Sequence, residues 1–90
     1  MEITHEPDAN RWVGRIGDQI VSVLDYRDNG KVVSMTRTFT NPPFRGRGLA
    51  AQVVAAAVDA VEADGKRIRP MCWYVADWFD ANPDRAGLLA

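Results

Sequence analysis

The sequence holds one cysteine, Cys72, and one histidine, His5. A lone cysteine forms no intramolecular disulfide and builds no cysteine-based zinc site, so no metal site is expected. A Ser-His-Asp triad on His5 would need the start of the chain to be held rigid, and chain ends seldom are. No apolar run approaches the roughly 18 residues that a bilayer span requires. The opening MEITHEPD has no apolar segment of the signal-peptide kind. No membrane contact is expected, and the expected compartment is the reducing cytoplasm. Neither sign of charge is in excess: 11 Lys and Arg against 12 Asp and Glu give a net charge of −1, with a pI near 5.7. Nucleic-acid binding by counterion release needs a basic surplus that this chain lacks. At 90 residues it is too short for a TIM barrel, a full dinucleotide-binding fold or two domains. A single domain over residues 1–90 is the expectation.

Hydrophobic residues make up 47% of the chain and charged residues 26%, an ordinary globular balance. The first half alternates in the manner of strands. Asn10–Gly17 reads as a short strand, with Glu2–Glu6 a candidate strand before it, and Gly17-Asp18 marks a turn. Gln19–Arg27 and Lys31–Thr40 are rich in β-branched residues and flank Asp28-Asn29-Gly30, which predicts a type I′ hairpin turn. Asn41-Pro42-Pro43 then stops the ladder, because proline donates no hydrogen bond. From Leu49 to Asp64 apolar residues recur at Leu49, Val53, Ala57 and Val61, with Val54 and Val58 beside them. That spacing predicts a helix, and Gly65 is placed to end it. Lys66–Val75 reads as a last strand with Pro70 inside it, which implies an edge, a bulge or a strand that has parted from its neighbour. Two short helical turns are expected in the tail. The order is β-β-β-α-β-α, an α+β chain with an antiparallel meander and one parallel crossover.

The informative stretch is Thr38–Ala51, TFTNPPFRGRGLAA. A strand ends, a glycine-containing loop follows, and a helix begins at once. The first amides of a helix have no internal partners and sit at its positive end. Glycines admit a ligand close to the backbone, and Arg45 and Arg47 add full charge. These are the components of a phosphate site. The P-loop pattern is absent. Gly46-x-Gly48-x-x-Ala51 meets the Rossmann pattern, but only forty or so residues follow it and no larger parallel sheet can form. Arg45-x-x-Gly48-x-Ala50 meets the R/Q-x-x-G-x-G/A pattern of acyl-coenzyme A loops. A nucleic-acid module is suggested only by Arg45-Gly46-Arg47-Gly48 beside Phe44, and the net charge opposes it.

On these residues the chain resembles the GNAT acetyltransferase superfamily and, within it, the minimal YjdJ-like branch. Arg37 to Ala50 is similar to that branch's H-T-x-V-x-x-x-x-R-G-x-G-x-A block. Ile68-x-Pro70-x-Cys72-x-Tyr74-Val75 is similar to its I-x-P-x-C-x-Y-V strand, and Asn82-Pro83 and Leu88-Leu89 fall where the branch has its terminal pairs. The resemblance implies a small GNAT-like fold whose parallel strands, ending at Thr40 and Val75, splay into a wedge for acyl-coenzyme A. It implies acetyl transfer from acetyl-coenzyme A to an amine, with a coenzyme A-binding module of little activity as the alternative. The implied binding residues are Thr38, Phe39 and Thr40 along the pantetheine arm and Arg45, Gly46, Arg47, Gly48, Leu49 and Ala50 around the pyrophosphate. A backbone amide near Phe39 is the implied oxyanion donor. The implied proton donors are Cys72 and Tyr74, which on a strand would share one sheet face. The implied partners are acyl-coenzyme A and an amine on a small molecule or a protein, with the chain a monomer or weak homodimer.

The chain departs from the pattern at Arg37, where the branch often has His. A guanidinium is always protonated and cannot be a base. Arg37 can instead bind an acidic acceptor or a coenzyme phosphate, and Asp25 is a further candidate base. Thr40 replaces a usual Val, a mild change where only backbone is used. Each side chain also has a plainer role: Cys72 as a small buried hydrophobe, Tyr74 as a core tyrosine, Arg45 and Arg47 as solvated charges, Trp12, Trp73 and Trp78 as core or groove packing, and His5 as a surface residue.

Overall fold

A computed structural model describes residues 1–90. Five strands form one sheet in sequence order: β1 (Glu2–Glu6), β2 (Arg11–Ile16), β3 (Gln19–Asp28), β4 (Val32–Thr40) and β5 (Arg67–Pro70). The first four pair antiparallel, and β5 joins β4 in parallel through helix α1 (Leu49–Ala63). A second helix, α2 (Trp73–Ala81), and a 3-10 turn at Pro83–Leu88 complete the chain. This is the small α+β architecture that the sequence predicts, with Glu2–Glu6 a full strand. No helix is long and apolar enough to cross a membrane.

The apolar stripe of α1 is its buried face: Val53, Val54, Ala57, Val58 and Val61. It packs on Leu24, Tyr26, Val33, Met35 and Ile68 of the sheet and meets Val75 and Phe79 of α2. Gly65, at φ 70°, closes the helix: its amide donates to Glu62 O, and the next amide, Lys66, donates to Val61 O.

Two expectations are corrected. The Asp28–Gly30 turn is not type I′, which needs positive φ at both central residues; Gly30 has it (92°) and Asn29 does not. Side chains shape the loop instead, Asp28 Oδ1 accepting from the Gly30 amide and Asn29 Oδ1 from the amides of Lys31 and Val32. The last strand ends at Pro70, not Val75. Cys72 is the N-cap of α2 and Tyr74 lies inside that helix, so the two do not share a sheet face. Trp73, Tyr74 and Val75 have β-forming side chains, but Val75 and Phe79 stand one helical turn apart, and burying both (0% and 4% exposed) selects the helix.

The wedge survives in another form. β5 pairs with β4 only from Val32 to Met35. Both Met71 and Cys72 amides then converge on Met35 O, and the chain turns away. At the same point β4 carries an extra residue against β3, since Asp25 faces Arg37 while Tyr26 faces Met35. Such a bulge bends a strand and deepens its twist. The gap is therefore opened by a bulge at Thr36 and by the end of β5, and not by two long strands drifting apart.

Two ion-paired carboxylates make stability pH-dependent. Arg15 and Arg11 hold Glu6 below the ordinary carboxylate range, and Lys66 and the Gly30 amide do the same for Asp28. A carboxyl that is more acidic when folded stabilises the fold above its unfolded pKa, and that contribution fades as pH falls through the folded value. The melting temperature is expected to drop between about pH 5 and about pH 3, with a shallower drop in Glu6→Gln. Equal slopes in the two proteins would remove Glu6 from the account.

Candidate functional site

Beyond Met35 one edge of β4 faces the gap. The Asn41 amide donates to Val21 O at 2.8 Å, which sets the phase of the β3–β4 ladder. Residues 37, 39 and 41 exchange bonds with β3, and Thr38 and Thr40 turn their amides and carbonyls outward. Arg45 Nε takes the Thr40 carbonyl at 3.1 Å. The outward amides are those of Thr38 and Thr40, on either side of Phe39, whose own amide belongs to the β3 ladder.

The loop that follows runs through a 3-10 turn at Pro42–Phe44. Gly46 (φ 79°) and Gly48 (φ 73°) then take left-handed conformations that other residues resist. The amides from Gly46 to Ala51 find no acceptor within the chain; the Gln52 amide, bonded to Gly48 O, is the first to do so. Gly48 supplies no side-chain cap, and no acidic residue occupies the first turn of α1. The positive end of the helix is left unneutralised.

Edge, loop and helix start enclose a groove of about 540 Å³, lined by Thr38, Phe39, Thr40, Phe44, Arg45, Gly46, Gly48, Leu49, Ala50, Trp73 and Tyr74. Eight of the nine implied binding residues and one of the two implied proton donors meet there. Arg47 lies outside the lining, with its guanidinium 5.3 Å from the Phe44 ring centroid. Cys72 also lies outside the lining, its thiol 3.5 Å from Thr38 Oγ1. No three side chains of His, Cys, Asp or Glu stand close enough together to hold a metal ion.

Electrostatics separate the two candidate proton donors. Burial pushes the Cys72 thiol up, but hydrogen bonding by Thr38 and the nearby amides of Val75, Tyr74 and Thr38 outweigh it, and the thiol is more acidic than usual. The thiol sits at the start of α2 without forming a side-chain cap, so the helix amides act on it as dipoles. Burial alone raises Tyr74, which keeps its proton at neutral pH.

Arg37 and Asp25 are not free. They pair across the bulge at 3.1 Å, and the guanidinium stands 5.5 Å from the Phe39 ring centroid. His5 is exposed as expected, yet it stacks on Trp12 at 4.3 Å and bonds Tyr26 Oη at 2.6 Å. Trp12 and Trp78 pack against the core, while Trp73 stands 74% exposed on the groove wall. Sequence reasoning marks Phe44 only as an aromatic near the arginines; its place beside the loop glycines is the signal that puts it in the groove.

The family model described as GCN5-related N-acetyl-transferase matches residues 11–88. The chain is 35% identical over 85 residues to the protein NATD1 of Bos taurus, covering 92% of this chain and 75% of that one. It is 28% identical over 85 residues to NATD1 of Gallus gallus, covering 92% and 77%. A GCN5-like protein of Staphylococcus aureus, solved by NMR, superposes with a TM-score of 0.69 at 16% identity, covering 99% and 87% of the two chains. The aminoglycoside N-acetyltransferase AAC(6')-Iy in complex with CoA superposes with a TM-score of 0.58 at 21% identity, covering 79% and 63%.

Proposed function

Since the chain belongs to the GCN5-related N-acetyltransferase family, we propose that it transfers acetyl from acetyl-coenzyme A to an amine, with both bound at once. The observation that carries this reading is the run of unbonded amides from Gly46 to Ala51 at the positive end of α1, in the wall of a groove that continues along an unpaired strand edge. The amides hold the pyrophosphate, and Arg45 adds charge beside them. The outward amides of Thr38 and Thr40 and the carbonyl of Thr38 receive the pantetheine arm as an added strand, the Thr40 carbonyl being held by Arg45.

The neutral acceptor amine attacks the thioester carbon. Negative charge gathers on the carbonyl oxygen, and the outward amide of Thr38 or Thr40 serves as its donor. The carbon–sulfur bond breaks, and Tyr74 gives its phenolic proton to the leaving thiolate. The proton shed by the amine leaves through water, and water returns a proton to the Tyr74 phenolate, which closes the cycle. With acetyl-coenzyme A at a hundred times its dissociation constant, the fold should gain about 2.7 kcal/mol, a melting shift of roughly 10–20 °C for a chain this small. NADH and ADP are the controls. A shift with NADH alone, or none at all, would end the acyl-coenzyme A reading.

One observation favours a second reading, a coenzyme A-binding module with little transfer. The candidate base Asp25 is held by Arg37 at 3.1 Å, so no free base stands at the bulge. A full melting shift with no thiol released on a panel of amines would select it.

A further inference from the structure

The outer face of α2 joins an exposed indole to acidic side chains. Trp73, Asp77 and Asp80 follow one another at i, i+4 and i+7, which places them on one face of the helix, and all three are exposed. Asp84 is exposed just beyond the helix end. Of the twelve carboxylates five, Glu6, Asp25, Asp28, Asp59 and Glu62, are ion-paired; Asp77, Asp80 and Asp84 are among those without a partner, and they gather on this one short stretch. Trp73 is the most exposed large hydrophobic residue, at 74%, and Met71 follows at 62%. The stripe begins in the wall of the groove, since Trp73 lines it.

A surface that joins an exposed indole to a row of free carboxylates suits a ligand with an apolar stem and a cationic head. A lysine side chain is that ligand: its methylenes cover the ring and its ammonium meets the ring face or a carboxylate. From Trp73 to Asp80 the helix rises about 10 Å. Alternate side chains of an extended peptide repeat at about 7 Å, so two or three basic residues on one strand match the stripe. Nucleic acid and anionic membrane carry the wrong charge for it. We infer that the Trp73–Asp77–Asp80 face of α2 docks a basic polypeptide segment and leads one of its amines to the groove. The choice of an amine-bearing partner rests on the proposed transfer; docking itself is read without it.

The probe is a fluorescent Lys-Gly repeat of about 12 residues, long enough to cover the stripe, titrated by anisotropy at low salt. A Glu-Gly repeat and spermine are the comparisons. The double variant Asp77→Asn, Asp80→Asn should bind the lysine peptide roughly five- to tenfold more weakly. High salt should close that gap. Its melting shift with acetyl-coenzyme A should equal that of the unaltered chain, because neither residue touches the groove. Equal peptide affinity in the two proteins would overturn the docking face, as would equal binding of the glutamate repeat. Spermine competing at the same charge concentration would replace the polypeptide by a small polycation. Absence of an acetyl-coenzyme A shift in the unaltered chain would sink the transferase reading and leave the peptide result standing.

Discussion

Gly48→Trp is expected to abolish the melting shift given by acetyl-coenzyme A while the free protein remains folded. Gly48 sits at φ 73°, ψ 16°, directly before α1. A Cβ built there meets nothing within 4 Å, so the side chain projects into open space and displaces no core atom. The left-handed backbone costs a non-glycine residue about 1–2 kcal/mol, which a folded domain with several kcal/mol of stability can absorb. The indole then fills the groove that Gly48 lines and covers the amides beside it. Gly48→Ala is the control, because it carries the same backbone strain and only one added carbon. It should melt lower than the parent and still respond to acetyl-coenzyme A. The circular dichroism of each free variant reports the fold. A Gly48→Trp variant that binds as the parent does would place the phosphate elsewhere.

Tyr74→Phe is expected to lower kcat about 100-fold, within the range general acids contribute, with KM for acetyl-coenzyme A nearly unchanged. A departing thiolate must find a proton at neutral pH. Burial keeps the Tyr74 phenol protonated, and the residue lines the groove. Cys72 is the weaker candidate, since Thr38 and the amides at the start of α2 pull its thiol toward the charged form and it does not line the groove. Cys72→Ala should slow transfer by about tenfold or less, mainly through lost support for Thr38. Steady-state kinetics with thiol detection separates the cases. A larger loss in Cys72→Ala than in Tyr74→Phe would exchange the two roles, and no loss in either would leave the proton to water.

The binding loop is legible in the sequence because its chemistry is local. A strand stop at Asn41-Pro42-Pro43, left-handed glycines and an apolar helix repeat all lie within a short stretch, and each acts through its own backbone. The catalytic end is not legible in the same way. Local preference at Trp73, Tyr74 and Val75 favours a strand through Cys72 and Tyr74, yet the burial of Val75 and Phe79 against α1 and the sheet turns that segment into a helix. The i, i+4 spacing of those two residues is the signal that outweighs it. Asp25 and Arg37 show the same limit. Nothing in the sequence joins residues on different strands until the register sets them opposite each other.

The sequence by itself determined the meander, the amphipathic α1, its glycine stop and the loop with two arginines, because local backbone preference and hydrophobic period fix such features. Tertiary structure alone decided that β5 stops at Pro70, that β4 bulges at Thr36 and that the strand edge at Thr38–Thr40 is left open beside α2. Those features depend on which distant groups share a hydrogen bond or a buried face, as when Met71 and Cys72 converge on Met35 O. Such a choice is made by packing and pairing across the whole chain.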